Sequence, residues 1–334
     1  MQNQHTQLPW EQPDWLEQAT DWIQTQLAAS GWPTTGPVEL MHQRPWSAVA
    51  RVSTADGTVY FKALAPAYQY EVALTQALAR WRPDCTVRLL GVDLERGWML
   101  SADAGVTLRS ADGSPAQIEH WLEVLPLYVE LQTEMAGRVP DLLGLGTPDR
   151  RLATLPDQYN QLLEATEDLR IGMDPGLTPE EYQHLRDLRP RFVTWCEQLA
   201  SYGLPETLTH EEIHDPNVLV RDDRYTFIDW SDSSVAHPFF TMLVTIRAAA
   251  HRLKLAEFGP EMTRLRDVYL EPWTTFATRR ELLAAFDLAY RLGMANRALS
   301  WHYDWRSLAE RHREPYLDAV PGWLQDFLNA GTPE

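Results

Sequence analysis

The stretch Leu208 to Trp230, LTHEEIHDPNVLVRDDRYTFIDW, reads in two incompatible ways. As a zinc-binding HExxH motif, His210 and His214 would hold the metal while Glu211 polarised the metal-bound water. That requires a helix, because only the i, i+4 spacing brings both imidazoles to one face. As an irregular loop between short strands, the segment would instead present Glu212, Asn217 and Asp229. Local chemistry argues against the helix. Pro216 disfavours α conformation at Asp215, while the flanking "TLT" and "NVLV" are β-branched or strand-like. At most one helical turn fits between them. Short β runs are expected at Thr207 to Thr209, Val218 to Arg221 and Tyr225 to Ile228, with Asp222-Asp223 as the turn between the last two.

Upstream, "SAVARVSTADGTVYFKAL" (47 to 64) holds two β runs joined around Asp56-Gly57, a dipeptide suited to tight hairpins. The second run alternates, with Thr58, Tyr60 and Lys62 on one face and Val59 and Phe61 on the other. "YQYEVALTQALARW" (68 to 81) follows, a helix in which Glu71, Leu74 and Leu78 recur before Pro83 ends it. "TVRLLGVD" and "GWMLSA" are then two strands turning at Arg96-Gly97. Before all of these, Trp15, Ala19, Trp22, Ile23 and Leu27 mark an amphipathic helix from about Asp14 to Ser30, stopped by Gly31 and Pro33.

From about Ser114 the pattern is mostly helical. Thr178-Pro179-Glu180-Glu181 is a capped helix start. That helix is expected to end near Gly203 with a kink at Pro190. Helices resume from about His237, after the single β-rich interruption.

The chain has 334 residues, 44% of them hydrophobic, enough for two domains or one domain of two lobes. Its 29 Lys and Arg face 47 Asp and Glu, a formal charge of −18. Such a balance supplies no basic stripe for nucleic acid. Cys85 and Cys196 stand far apart, outside metal or disulfide spacing, and read as reduced core residues. Without a basic and apolar leader or a long uncharged run, the expectation is a cytoplasmic protein outside the membrane.

Phosphoryl transfer needs a base beside the acceptor hydroxyl, an amide or carboxylate holding Mg²⁺, and a second carboxylate joining the metal to the phosphates. Glu212, Asn217 and Asp229 supply those chemistries in order. On the run His210-Glu211-Glu212-Ile213-His214-Asp215-Pro216-Asn217, followed by Phe227-Ile228-Asp229-Trp230, the chain resembles the aminoglycoside phosphotransferase and choline kinase family of kinase-like enzymes. That family carries H-x-D-x-x-x-x-N and then a strand ending in Asp, often I-D-W. Asn217 and Asp229 match residue by residue; Glu212 stands where the family has Asp.

The resemblance implies an α+β, two-lobed protein-kinase-like fold. It places a helical extension at 1–34, a small nucleotide-binding lobe with an antiparallel sheet and helix at 35–101, and a large, mainly helical catalytic and substrate lobe at 102–334. It implies ATP and Mg²⁺ as cofactors and, as acceptor, a hydroxyl of a small molecule, with cations such as an aminoglycoside or amino alcohol among the candidates. Lys62 would contact the α and β phosphates and pair with Glu71, Asn217 and Asp229 would hold Mg²⁺, and Glu212 would be the base. Backbone groups near Ser101 and Asp103 would meet adenine, and backbone amides near Arg44 to Ser47, or the Arg44 side chain, would approach the phosphates. His210 would support the loop. Asp232 and Trp301 are candidate acceptor contacts. The Glu212 departure leaves open a nucleotide-binding or ligand-binding relative that has lost transfer, and the HExxH metallopeptidase stands as a remote alternative.

Overall fold

The computed structural model describes residues 7–111 and 116–330. Two compact units emerge. One takes the chain up to Thr107 with Asn217–Ser231 and Ser307–His312; the other takes Leu108–Pro216, Asp232–Arg306 and the chain from Arg313.

In the first unit, strands β1 (Thr34–Gln43), β2 (Ser47–Thr54), β3 (Gly57–Leu64), β4 (Leu89–Asp93) and β5 (Trp98–Ala102) form one sheet in the order β1-β2-β3-β5-β4. Every neighbouring pair is antiparallel. The β2–β3 turn falls on Ala55-Asp56, one residue earlier than expected, and the positive φ of 125° belongs to Gly57 at the start of β3. Alternation along β3 buries Val59 and Phe61 on the face covered by helix α1 (Trp15–Ser30). There Trp22, Phe61 and Trp98 form an aromatic triad, with centroid separations of 5.5 to 5.8 Å. Lys62, central in the sheet opposite Val49 and Met99, emerges on the other face with Tyr60. Helix α2 (Tyr70–Trp81) follows β3 and carries Glu71 in its first turn.

A three-stranded sheet of β6 (Val106–Thr107), β8 (Val218–Arg221) and β9 (Arg224–Phe227) completes this unit. Asp222 and Asp223 adopt φ of 50° and 58°, so β8 and β9 meet through a two-residue turn of left-handed residues, which Asp tolerates. Strand β9 ends one residue earlier than expected, at Phe227, whose N–H donates to the Cys85 carbonyl at 2.9 Å.

The second unit is built on helices, the longest being Ala116–Ala136 and Arg279–Ser307. The expected helical start near Ser114 lies outside the described residues. Strands β7 (Thr207–His210) and β10 (Ser233–Ala236) pair antiparallel and are wholly buried. Thr178 and Glu181 form the expected reciprocal cap. The helix does not kink at Pro190; it breaks into Pro179–Asp187 and Arg189–Ser201, because Pro190 has no N–H with which to carry the ladder through the junction. Cys85 and Cys196 are buried and are not joined by a disulfide. No described helix is long and apolar enough to cross a membrane.

Candidate active site

The first unit gathers Lys62, Glu71 and Asp229. Lys62 Nζ donates to Glu71 Oε1 and Oε2 at 2.7 and 2.8 Å and to Asp229 Oδ1 at 2.6 Å. Glu71 is fully buried, and its Oε1 also accepts the Trp230 N–H at 3.2 Å. Burial pushes the Glu71 carboxyl up to about 7, against the pull of Lys62. Burial alone would lower the Lys62 ammonium's pKa, but Asp229 and then Glu71 outweigh it and raise it. The lysine is therefore held charged on the face of the sheet away from α1.

Asp229 reaches Lys62 from an unusual backbone, with φ of 65°, and Ser231 Oγ donates to the same Oδ1 at 3.0 Å. The β8–β9 hairpin explains why Asn217 lies close by. Its register pairs Val218 with Phe227, so Asn217 and Ile228 meet at the open end, where the Ile228 N–H donates to the Asn217 carbonyl at 3.1 Å. An amide and a carboxylate are the hard oxygen donors that Mg²⁺ takes along with phosphate oxygens and water, and Asp229 keeps 43% of its side chain exposed.

Two further segments of the same unit carry residues singled out in the sequence. Between β1 and β2, the Arg44 N–H donates to the Ser47 carbonyl at 2.7 Å, closing a glycine-free turn. His42, which the sequence did not single out, has its pKa lowered by burial and then by Arg44 and Lys62, while Asp229 raises it. At the end of β5, Ser101 lies opposite Tyr60 and Leu89. Asp103 is heavily engaged: its N–H donates to the Thr58 carbonyl at 3.1 Å, and Arg221 donates to its carbonyl at 2.7 Å and its Oδ2 at 2.5 Å.

In the second unit, His210 ends a strand and the chain then turns, so the helix needed by a zinc HExxH is missing at these residues. His210 instead supports the backbone: its N–H donates to the Tyr128 hydroxyl at 2.8 Å and its Nδ1 accepts the Glu212 N–H at 3.2 Å. Glu211 is buried, accepting from Ser234 Oγ at 2.8 Å and Ser300 Oγ at 2.6 Å. The zinc-peptidase reading is thereby overturned.

Sequence reasoning missed the residue at the centre of this unit's polar cluster, Arg297 of helix Arg279–Ser307. Its Nη2 donates to Glu212 Oε1 at 2.6 Å and its Nη1 to Asp232 Oδ1 at 3.1 Å, with Glu211 Oε2 at 3.8 Å. Burial would lower the Arg297 pKa, but Glu212, Asp232, Glu211 and Asp304 together raise it. Trp301, one turn onward, has its ring 5.9 Å from the guanidinium and stacks on Tyr316 at 5.5 Å. Glu212, Asp232 and Trp301 are thus brought together around one buried cation. A lone Arg inside the apolar run "LGMANRALSW" was the available signal.

The fold has counterparts among solved structures. No curated protein matches the sequence. Among solved structures, the chain is similar to an ethanolamine kinase of Plasmodium vivax, with 12% identity, 88% of this chain and 81% of that chain covered, and a TM-score of 0.59. It is similar to the choline kinase LicA of Streptococcus pneumoniae, with 14% identity, 94% and 98% covered, and a TM-score of 0.59. It is also similar to an aminoglycoside phosphotransferase solved as a ternary complex with ADP and hygromycin B, with 12% identity, 94% and 99% covered, and a TM-score of 0.50. The fold is accordingly α+β and protein-kinase-like, as the resemblance implied. The profile of the phosphotransferase enzyme family matches residues 46–251, well over half of the sequence, and the chain belongs to that family.

Proposed function

We propose that this phosphotransferase moves the γ-phosphoryl group of ATP to a hydroxyl of a small molecule. The observation that carries the reading is the Lys62 ammonium held between Glu71 and Asp229, a fixed charge on the sheet face suited to the α and β phosphates. In this reading the small nucleotide-binding lobe spans 35–101, and backbone groups near Ser101 and Asp103 bound the adenine. Asn217 and Asp229 hold Mg²⁺, whose charge neutralises that of the phosphates when it is bound.

Glu212 accepts the proton of the acceptor hydroxyl as its oxygen bonds to the γ-phosphorus. The bond from that phosphorus to the β–γ bridging oxygen breaks, and ADP leaves. Asp232 and Trp301 line the acceptor side. The excess of carboxylates around Arg297 favours an acceptor that carries positive charge. The ADP complex of one structural relative and the choline and ethanolamine kinases among the others support this substrate class.

Calorimetric titration with ATP tests the reading. Binding is expected with Mg²⁺ present and is expected to collapse on chelation. A folded protein with no Mg²⁺-dependent nucleotide interaction would overturn it. A second reading, a relative that binds nucleotide without transfer, rests on Glu212 standing in place of Asp; the Glu212→Asp variant separates the two.

A further inference from the structure

We propose that Arg297 is a positioning residue matched to glutamate at 212: its guanidinium holds one carboxylate oxygen of Glu212 so that the longer side chain presents the other to the acceptor. The proposal rests on the reading of Glu212 as the base. Three observations carry it. Arg297 Nη2 lies 2.6 Å from Glu212 Oε1, the shortest contact this guanidinium makes to a carboxylate. Its side chain is only 4% exposed, so the charge is fixed by packing and little screened. The neighbouring carboxylate of Glu211 is already met by the hydroxyls of Ser234 and Ser300 and lies farther from Arg297, at 3.8 Å.

Reach decides why glutamate is the matched residue. Shortening the side chain by one carbon–carbon bond withdraws the carboxylate by up to about 1.5 Å. Added to the present 2.6 Å, that opens the contact to as much as about 4 Å, beyond hydrogen-bonding distance. An aspartate here loses the arginine, whereas the glutamate is gripped by it. Among the groups facing Glu212 are Arg297, the His214 Nε2 at 3.4 Å from Oε2, and the His210 ring that accepts its N–H; Arg297 is shared with Asp232 and Glu211. In this arrangement Glu212 is an adapted base rather than the remnant of a lost one.

The test has two arms: a titration reads whether Arg297 acts on the Glu212 carboxylate, and kinetics separate positioning from a merely structural ion pair. Protein labelled with ¹³C at the glutamate carboxyl carbon, with the Glu212 resonance identified by its loss in Glu212→Gln, is titrated in wild type, Arg297→Lys and Arg297→Met. The Glu212 pKa is expected to rise by about one unit or more in Arg297→Met and by less in Arg297→Lys. An unmoved titration in folded variants overturns the proposal, and Arg297→Lys serves if Arg297→Met does not fold. This measurement requires no turnover, so it stands even if the phosphotransferase reading fails.

ADP release from Mg·ATP with choline, ethanolamine and hygromycin B as probes supplies the kinetic arm. Glu212→Asp and Arg297→Lys are each expected to lower kcat by about tenfold or more while leaving the KM for ATP unchanged. A rise in kcat for Glu212→Asp overturns the match to glutamate. Loss of Mg·ATP binding by the wild type would instead sink the phosphotransferase reading.

Discussion

Asp229 places its Oδ1 2.6 Å from Lys62 Nζ across 167 residues of sequence, and it does so from a left-handed backbone with φ of 65°. The same ammonium is held by Glu71, which has no exposed surface. Charge and conformation at these three residues are therefore coupled, and each can be removed separately.

Removing the lysine strands a buried carboxylate. Lys62→Met is expected to cost about 3 kcal/mol of stability and to abolish Mg·ATP binding. Adding Glu71→Gln is expected to recover much of the stability, since the amide oxygen still accepts the Trp230 N–H, without recovering nucleotide. Urea unfolding and calorimetry read the two effects. An unchanged unfolding midpoint for Lys62→Met would contradict the account of this pair.

Asparagine tolerates left-handed backbone nearly as well as aspartate, and alanine does not. Asp229→Asn keeps the backbone but gives up the ion pair to Lys62, and is expected to cost about 1.5 kcal/mol of stability while weakening Mg²⁺-dependent ATP binding at least about tenfold. Asp229→Ala is expected to lose roughly another 1 kcal/mol of stability from the backbone alone. Equal unfolding midpoints for the two variants would show that the strain is not borne at this residue.

Gly105 lets β6 approach β8. A Cβ added there would lie 2.2 Å from the Val220 carbonyl oxygen, at a φ of 120° that side chains rarely adopt. Gly105→Ala is expected to cost about 2 kcal/mol or more. Gly144→Ala, where an added Cβ meets nothing within 4 Å, is expected to be neutral or mildly stabilising. Thermal unfolding of the two variants would show similar midpoints if the close approach did not matter.

His237 is buried with its Nδ1 accepting the Phe239 N–H, and burial holds its pKa down at about 3. The unfolded chain, with the usual histidine pKa near 6.5, takes up this proton earlier than the folded one. Stability from the neutral ring is therefore complete above about pH 6.5 and is lost as pH falls towards 3. At pH 5 the loss is about 2 kcal/mol. His237→Asn, which keeps an acceptor at the helix start, is expected to flatten the dependence of the urea midpoint between pH 7 and 5. An equally steep dependence in the variant would place the acid sensitivity elsewhere.

Much of this was legible in the sequence, for a local reason. A strand exposes alternate residues, so the faces of Val59 to Lys62 followed from period two, and Lys62 emerged where that period put it. The hairpin at Asp222-Asp223 and the cap at Thr178 follow from side chains acting within four residues. The run from His210 to Trp230 was readable as a loop between strands because Pro216 and the β-branched flanks forbid the competing helix.

Other features had no local cause to read. Nothing in the order of the strands states that β5 lies between β3 and β4. Nor does local pattern tell whether a proline will bend a helix or end it, as Pro190 does. Arg297 is the strongest case, since its meaning lies with Glu212, 85 residues earlier, and with Asp232 and Glu211. Backbone geometry gives each segment its period, and that much a sequence determines by itself. Which charges then share one buried space depends on how helices and strands pack, because a buried guanidinium is tolerable only where tertiary structure brings carboxylates to it.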